Sequence, residues 1–191
     1  FLVTGRASFE ASGAVRILGA LERNATVSRW SDFNPNTDVT DLWTGILAMR
    51  ATGADAVVGV GGGSVMDMAK LLCAYREIET EQDLHEAIRS GTAVESRTVP
   101  LMLAPTTSGS GSEATHFAVV YIGADKFSIA GSGLRADATA LDPNLPITGS
   151  DHQRATSGMD AVCQAIESRW AVGSTSESRR DAESALQLLL G

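Results

Sequence analysis

The chain of 191 residues holds only two cysteines, five prolines and three histidines. Cys73 and Cys163 lie far apart and fall into no disulfide framework or metal-binding spacing, so a reducing, cytoplasmic setting is expected. Positive charge is also short. Fifteen Lys and Arg face 23 Asp and Glu, a net charge of −8, which argues against a binder of nucleic-acid backbone. Long apolar runs are missing too. The longest stretch without a charge, Thr98 to Ser112, is broken by Pro100 and Pro105 and falls short of the roughly 20 residues of a membrane span. A signal peptide is not expected from Phe1–Gly5, which leads straight into a polar segment of mixed charge. The chain begins at Phe1 and stops in the apolar run Leu186–Leu190, so it is expected to be part of a longer protein. At 43% hydrophobic and 20% charged residues, the composition excludes a disordered acidic chain.

What is present alternates. Apolar Phe1–Thr4 reads as a short buried strand, Ser12–Asn24 as a helix, and Thr26–Trp30 as a second strand closed by the turn Asp32–Asn36. Asp38–Thr52 carries apolar residues at near-helical spacing. Ala56–Val60 and Val99–Ala104 are continuous apolar runs, as expected for strands covered on both faces. Asp83–Ile88 has the composition of a surface helix. Strands alternating with helices predict an α/β sheet. From Gln153 onward there is no proline and helix formers dominate, so a boundary is placed near Ser150: one domain over 1–150 and the start of a helical one over 151–191. There is no internal repeat.

Three segments carry chemistry. Gly61-Gly62-Gly63-Ser64 follows the Ala56–Val60 strand and leads into Val65–Lys70. Glycines there let a ligand approach the backbone, and the N–H groups of the next helix suit a pyrophosphate. The spacing is neither the dinucleotide fingerprint G-x-G-x-x-G nor a Walker A loop. Pro105–Glu113, rich in Ser, Thr and Gly, follows the next strand, where open α/β sheets bind ligands. The G-x-S-x-G spacing is absent there, and His85, His116 and His152 suggest no triad, which excludes a serine hydrolase. In the helical segment, Asp160 and Gln164 are four apart and share a face, a carboxylate and an amide able to contribute to a metal or polar-substrate site. Taken singly, each segment also fits an ordinary Gly-rich turn, a solvated Ser/Gly loop or a solvated helix face.

Together and in this order, Gly61–Lys70, Pro105–Glu113, Asp125-Lys126-Phe127, Asp142–Leu145 and Gly158–Glu167 resemble the iron-containing (group III) alcohol dehydrogenase family. The resemblance implies an α/β fold: a Rossmann-like nucleotide-binding domain followed by an all-helical domain, the arrangement shared with dehydroquinate synthase-like proteins. It implies cofactor contacts from Gly62, Gly63, Ser64, Asp67, Thr106, Thr107, Ser110, Lys126 and Leu145. Ser31 matches a position where NAD-preferring members often carry Asp. Ser does not repel a 2′-phosphate, so NADPH, or NADPH and NADH alike, is expected. Asp160 matches the first metal ligand (Fe2+ or Zn2+), whereas Gln164 replaces the family's His; an amide oxygen is a weaker ligand for such ions than imidazole. The segments Cys163–Trp170, Ser174–Arg179 and Val3–Gly13 are similar to the phosphonoacetaldehyde reductase branch. The resemblance thus implies reduction of a small aldehyde to a primary alcohol, with phosphonoacetaldehyde the expected substrate, Asp160 and Gln164 in the catalytic cleft, and a homodimer. A generic short-chain alcohol dehydrogenase and a non-catalytic nucleotide-binding relative are the alternatives.

Overall fold

A computed structural model describes residues 1–191. Strands β1 (Leu2–Thr4), β2 (Arg29–Trp30), β3 (Val57–Gly61), β4 (Leu101–Pro105) and β7 (Ala138–Thr139) form one parallel sheet in the order β2-β1-β3-β4-β7. Phe117–Ile122 (β5) and Asp125–Ala130 (β6) make a separate antiparallel hairpin. The helices are α1 (Ser8–Ala11), α2 (Val15–Leu21), α3 (Val39–Thr52), α4 (Gly63–Ala74), α5 (Glu81–Ser90), α6 (Asp151–Trp170) and α7 (Ser176–Leu190). This is the α/β, Rossmann-like arrangement.

The central strands β1, β3 and β4 are largely covered on both faces, which is why they read as near-continuous apolar runs rather than alternating. Val3, Val57 and Leu103 point into a core of 24 buried residues with α3, α4, α5 and the hairpin. Their neighbours Leu2, Val60 and Ala104 point the other way, into a smaller cluster of six with Phe9, Ala14 and Leu145. Helix α3 starts where the Asp38 carboxylate accepts from Thr40 N and ends at Gly53, whose φ of 64° closes the last turn.

Two expectations need correction. The helix expected over Ser12–Asn24 is the shorter α2, Val15–Leu21, and a one-turn helix that was not expected, α1, precedes it, set apart by Gly13 at φ +72°. The strand expected over Thr26–Trp30 shrinks to Arg29–Trp30, because only Leu2 and Val3 of β1 lie in register with it. The β5–β6 hairpin has no counterpart among the expected elements. No helix is long and apolar enough to cross a membrane.

Candidate functional site

From β1 the chain moves to β2 on one side and then returns to β3 on the other, so the connections diverge between β1 and β3. Open parallel sheets form ligand crevices at such points, beyond the carboxyl ends of the strands. Here that position is a cleft of about 660 Å³. Its walls are the turns after β1, β2, β3 and β4, closed on one side by Thr148–Ser150 and Gln153 at the head of α6.

The turn after β3 forms the floor. Val65 N and Met66 N donate to Gly62 O at 3.0 and 3.1 Å, beginning the α4 ladder. The N–H groups of Gly63 and Ser64 precede that ladder and face the cleft, with the positive end of the helix behind them. The second loop lies against the first: the Cβ position of Gly62 is 3.4 Å from Thr107 Oγ1 and that of Gly63 is 3.7 Å from Ser110 Oγ, ordinary contact distances. Thr106 N donates to Gly61 O at 2.9 Å, tying the second loop to the first. Donors without an opposing carboxylate, beside hydroxyls, suit a pyrophosphate. Gly62, Gly63, Ser64, Thr106 and Thr107 all line this cleft, and Ser110 stands just behind Gly63.

Asp67 lies one turn further along α4 and faces away from the cleft. Its carboxylate accepts from Ser112 Oγ at 2.6 Å and Val119 N at 3.1 Å. Lys70, fully buried, donates to Thr115 Oγ1 and Phe117 O, both at 2.9 Å, and reaches Ser112 Oγ at 3.5 Å. Burial raises the Asp67 pKa, against the lowering effect of its Ser112 and Val119 hydrogen bonds, and lowers that of Lys70. Together the two residues fasten the end of the second loop and the start of β5 to the helix whose N-terminus floors the cleft. Neither residue lines the cleft.

Other expected residues lie elsewhere. Lys126 is exposed on β6, close enough for its charge to act on Asp67. Leu145 is buried in the smaller core cluster rather than on the cleft wall. Ser31 stands behind the wall, its carbonyl accepting from Arg6 Nε at 3.1 Å. Arg6 is on the wall, and is the only charged residue there. Sequence reasoning missed it, since a single Arg in a loop carries no pattern; its place directly after the β1 glycine was the available signal.

On α6, Gln153, Ser157, Asp160 and Gln164 follow one another at helical spacing, so Asp160 and Gln164 extend the face that begins at the cleft. Both are exposed, and Gln164 Nε2 donates to Asp160 Oδ2 at 3.0 Å. They offer one carboxylate and one amide oxygen, and nowhere in the structure do three His, Cys, Asp or Glu side chains gather as a metal group. Sites for iron or zinc take about four or more ligands. The residues present do not by themselves fit such a site.

Known proteins resemble this chain in sequence and in fold. The chain is 33% identical over 180 residues to an aldehyde-alcohol dehydrogenase of Streptococcus pneumoniae, covering 87% of this chain and 20% of that protein. It is 36% identical over 146 residues to a phosphonoacetaldehyde reductase of Streptomyces viridochromogenes, covering 73% and 37%. Among solved structures, a 1,3-propanediol oxidoreductase superposes with a TM-score of 0.90 at 25% identity, over 98% of this chain and 49% of that one. A sulfoacetaldehyde reductase from Bifidobacterium kashiwanohense in complex with NAD+ does so with a TM-score of 0.86 at 28% identity, over 98% and 51%. The chain therefore spans about half of these structures and less of the two curated relatives. The family model for iron-containing alcohol dehydrogenases matches residues 1–143, and the chain belongs to that family.

Proposed function

We propose that the protein containing this chain transfers hydride between a nicotinamide dinucleotide and a small aldehyde, reducing it to a primary alcohol. The observation that carries the reading is the cleft at the carboxyl ends of β3 and β4, where free helix N–H groups meet the hydroxyl-rich second loop. The dinucleotide supplies the hydride when bound. This chain's residues bind and orient it: Gly63 and Ser64 donate to its pyrophosphate from the backbone, and Thr106 and Thr107 close over it. Asp67 and Lys70 keep the two loops in register. Gln164 spends one amide hydrogen on Asp160 and has a second to offer. On the α6 face that runs from the cleft, that hydrogen serves as a donor to the alkoxide oxygen that develops as the carbonyl is reduced.

Phosphonoacetaldehyde is the proposed substrate, on the strength of the reductase relative and of the branch-like segments around Gln164. Relatives whose names include 1-propanol dehydrogenase and aldehyde-alcohol dehydrogenase favour a broader short-chain activity as the second reading. The proposal extends to NADPH or dual coenzyme use, a cytoplasmic setting, a homodimer, and a division into a nucleotide domain over 1–150 and a helical one from 151.

The test is turnover by the full-length protein with NADPH and NADH, offering phosphonoacetaldehyde, acetaldehyde and butanal side by side. A kcat/KM for phosphonoacetaldehyde at least about tenfold above the other two supports the narrow reading, about 1.4 kcal/mol of discrimination. Equal rates favour the broad one, and no oxidation of either coenzyme overturns both. Full turnover by Gln164→Ala would remove the donor role from Gln164.

A further inference from the structure

The cleft wall contains one charged side chain, Arg6, and its guanidinium points along the sheet rather than into the floor. Nε donates to Ser31 O at 3.1 Å and Nη2 to Asp32 Oδ1 at 2.5 Å, both just past β2. With the sheet ordered β2-β1-β3, that places Arg6 on the side of β1 opposite the Gly62–Ser64 turn. A dinucleotide whose pyrophosphate lies on that turn and which extends across β1 brings one nucleoside ribose to Arg6. We infer that Arg6, held in reserve by Asp32, reads the 2′ position of this ribose and sets the preference between NADPH and NADH.

Three features support the inference. First, the Arg6 backbone is pinned while its side chain is held only at the surface. Arg29 Nη2 donates to Gly5 O and Arg6 O at 3.3 Å, and Arg29 Nε to Thr4 Oγ1 at 2.8 Å. The Arg6 and Asp32 side chains, by contrast, are 59% and 80% exposed. Such an exposed pair holds little free energy, so the guanidinium is available to a stronger anion. Second, the two hydrogen bonds occupy only Nε and one Nη2 hydrogen. Three N–H groups remain, in the fork that matches phosphate oxygens. Third, the Asp32 carboxylate suits the opposite ligand: it accepts from a ribose 2′-hydroxyl and repels a 2′-phosphate. One ion pair therefore carries both selectors. Arg6 favours the phosphorylated coenzyme and Asp32 the plain one, and Ser31 adds no charge of its own.

The inference rests on the dinucleotide reading above, and its test separates the two. NADPH and NADH are titrated by fluorescence onto the full-length protein as wild type, Arg6→Ala and Asp32→Asn, with kcat/KM for each coenzyme measured alongside. Arg6→Ala lowers the NADPH-to-NADH affinity ratio about tenfold, the loss expected for a charge-assisted phosphate contact. Asp32→Asn raises the same ratio about threefold or more. Equal weakening of both coenzymes by Arg6→Ala would make Arg6 a pyrophosphate ligand and overturn the inference, as would an unchanged ratio. A wild-type protein that binds neither coenzyme would overturn the dinucleotide reading itself. Far-UV circular dichroism of each variant separates lost selectivity from lost fold.

Discussion

The parallel sheet with its covering helices is richer in apolar residues than the helix pair α6–α7, and only the first buries most of those it has. Forty-four residues are buried, and beyond Ser150 only Ala165 and Ala182 are among them. Met159, Trp170, Leu188 and Leu190 are exposed along the pair. What holds α6 and α7 is local: Ser150 and Thr175 cap their N-termini, Arg169 pairs with Glu183 at 3.0 Å, and the helices lie against each other. The sheet is held instead by contacts distant in sequence. The cleft belongs almost wholly to the sheet, and α6 closes one side of it. Binding in the cleft should therefore survive perturbation of the pair better than perturbation of the core.

Four substitutions sharpen or break this contrast, from the largest expected effect to the smallest. Leu72→Ala opens a cavity in the main core, where α4 packs on α3 at Gly45, and should cost about 3 kcal/mol in urea unfolding. Should it cost less than about 1 kcal/mol, the sheet core is not the seat of stability. Gly109→Ala attacks the junction. Gly109 has φ +115° and packs its α-carbon against the Ser157 carbonyl of α6, so any side chain both strains the loop and collides with the helix. About 2 kcal/mol of lost stability is expected, with faster amide exchange in α6 than in β3. Equal exchange in both would mean the two regions unfold as one.

Asp137→Asn probes an edge of the sheet. Asp137 accepts from Leu101 N at 2.7 Å and from Arg97 Nη2 at 2.5 Å, and these bonds, the backbone one first, lower its pKa. A lowered pKa contributes stability above the unfolded value, about pH 4, and that contribution disappears as pH falls through the folded value. The variant should lose about 0.5–1 kcal/mol at pH 7, a modest figure because the carboxylate is exposed, and less below pH 3. Urea midpoints at the two pH values check the sign. A loss that grows on acidification would contradict it. Leu188→Ala comes last. At 87% exposure it should change stability by less than about 0.5 kcal/mol. A larger loss in the full-length protein would show that this surface is covered there.

Much of the sheet was legible because both-face burial writes itself as uninterrupted apolar runs, and Ala56–Val60 ending in three glycines announced both β3 and the turn that floors the cleft. The late start of α2 was not, since Gly13 beside an apolar period looks like a tolerated helical glycine until its backbone angle is known, and the single turn of α1 is too short to show a period. The hairpin was missed although Phe117–Ile122 and Asp125–Ala130 flank Gly123, a turn residue at φ +61°; a strand pair outside the main sheet has no crossover helix to announce it. At the site, the residues that offer backbone to the cleft were readable as glycine and hydroxyl clusters. Arg6 was not, because its importance comes from β1 and β2 lying side by side, which no local spacing encodes. Leu145 shows the reverse: it sits in a recognisable motif, and the fold uses it as packing.

The burial of Lys70 has a chemical consequence. These 191 residues contain only two lysines, Lys70 and Lys126. Lys70 has no surface and three oxygen partners, whereas Lys126 stands in water on β6. Amine-directed reagents applied to the folded chain therefore meet a single lysine, at the end of a hairpin whose other strand is tied to Asp67. Labelling at Lys70 would signal that the chain has opened.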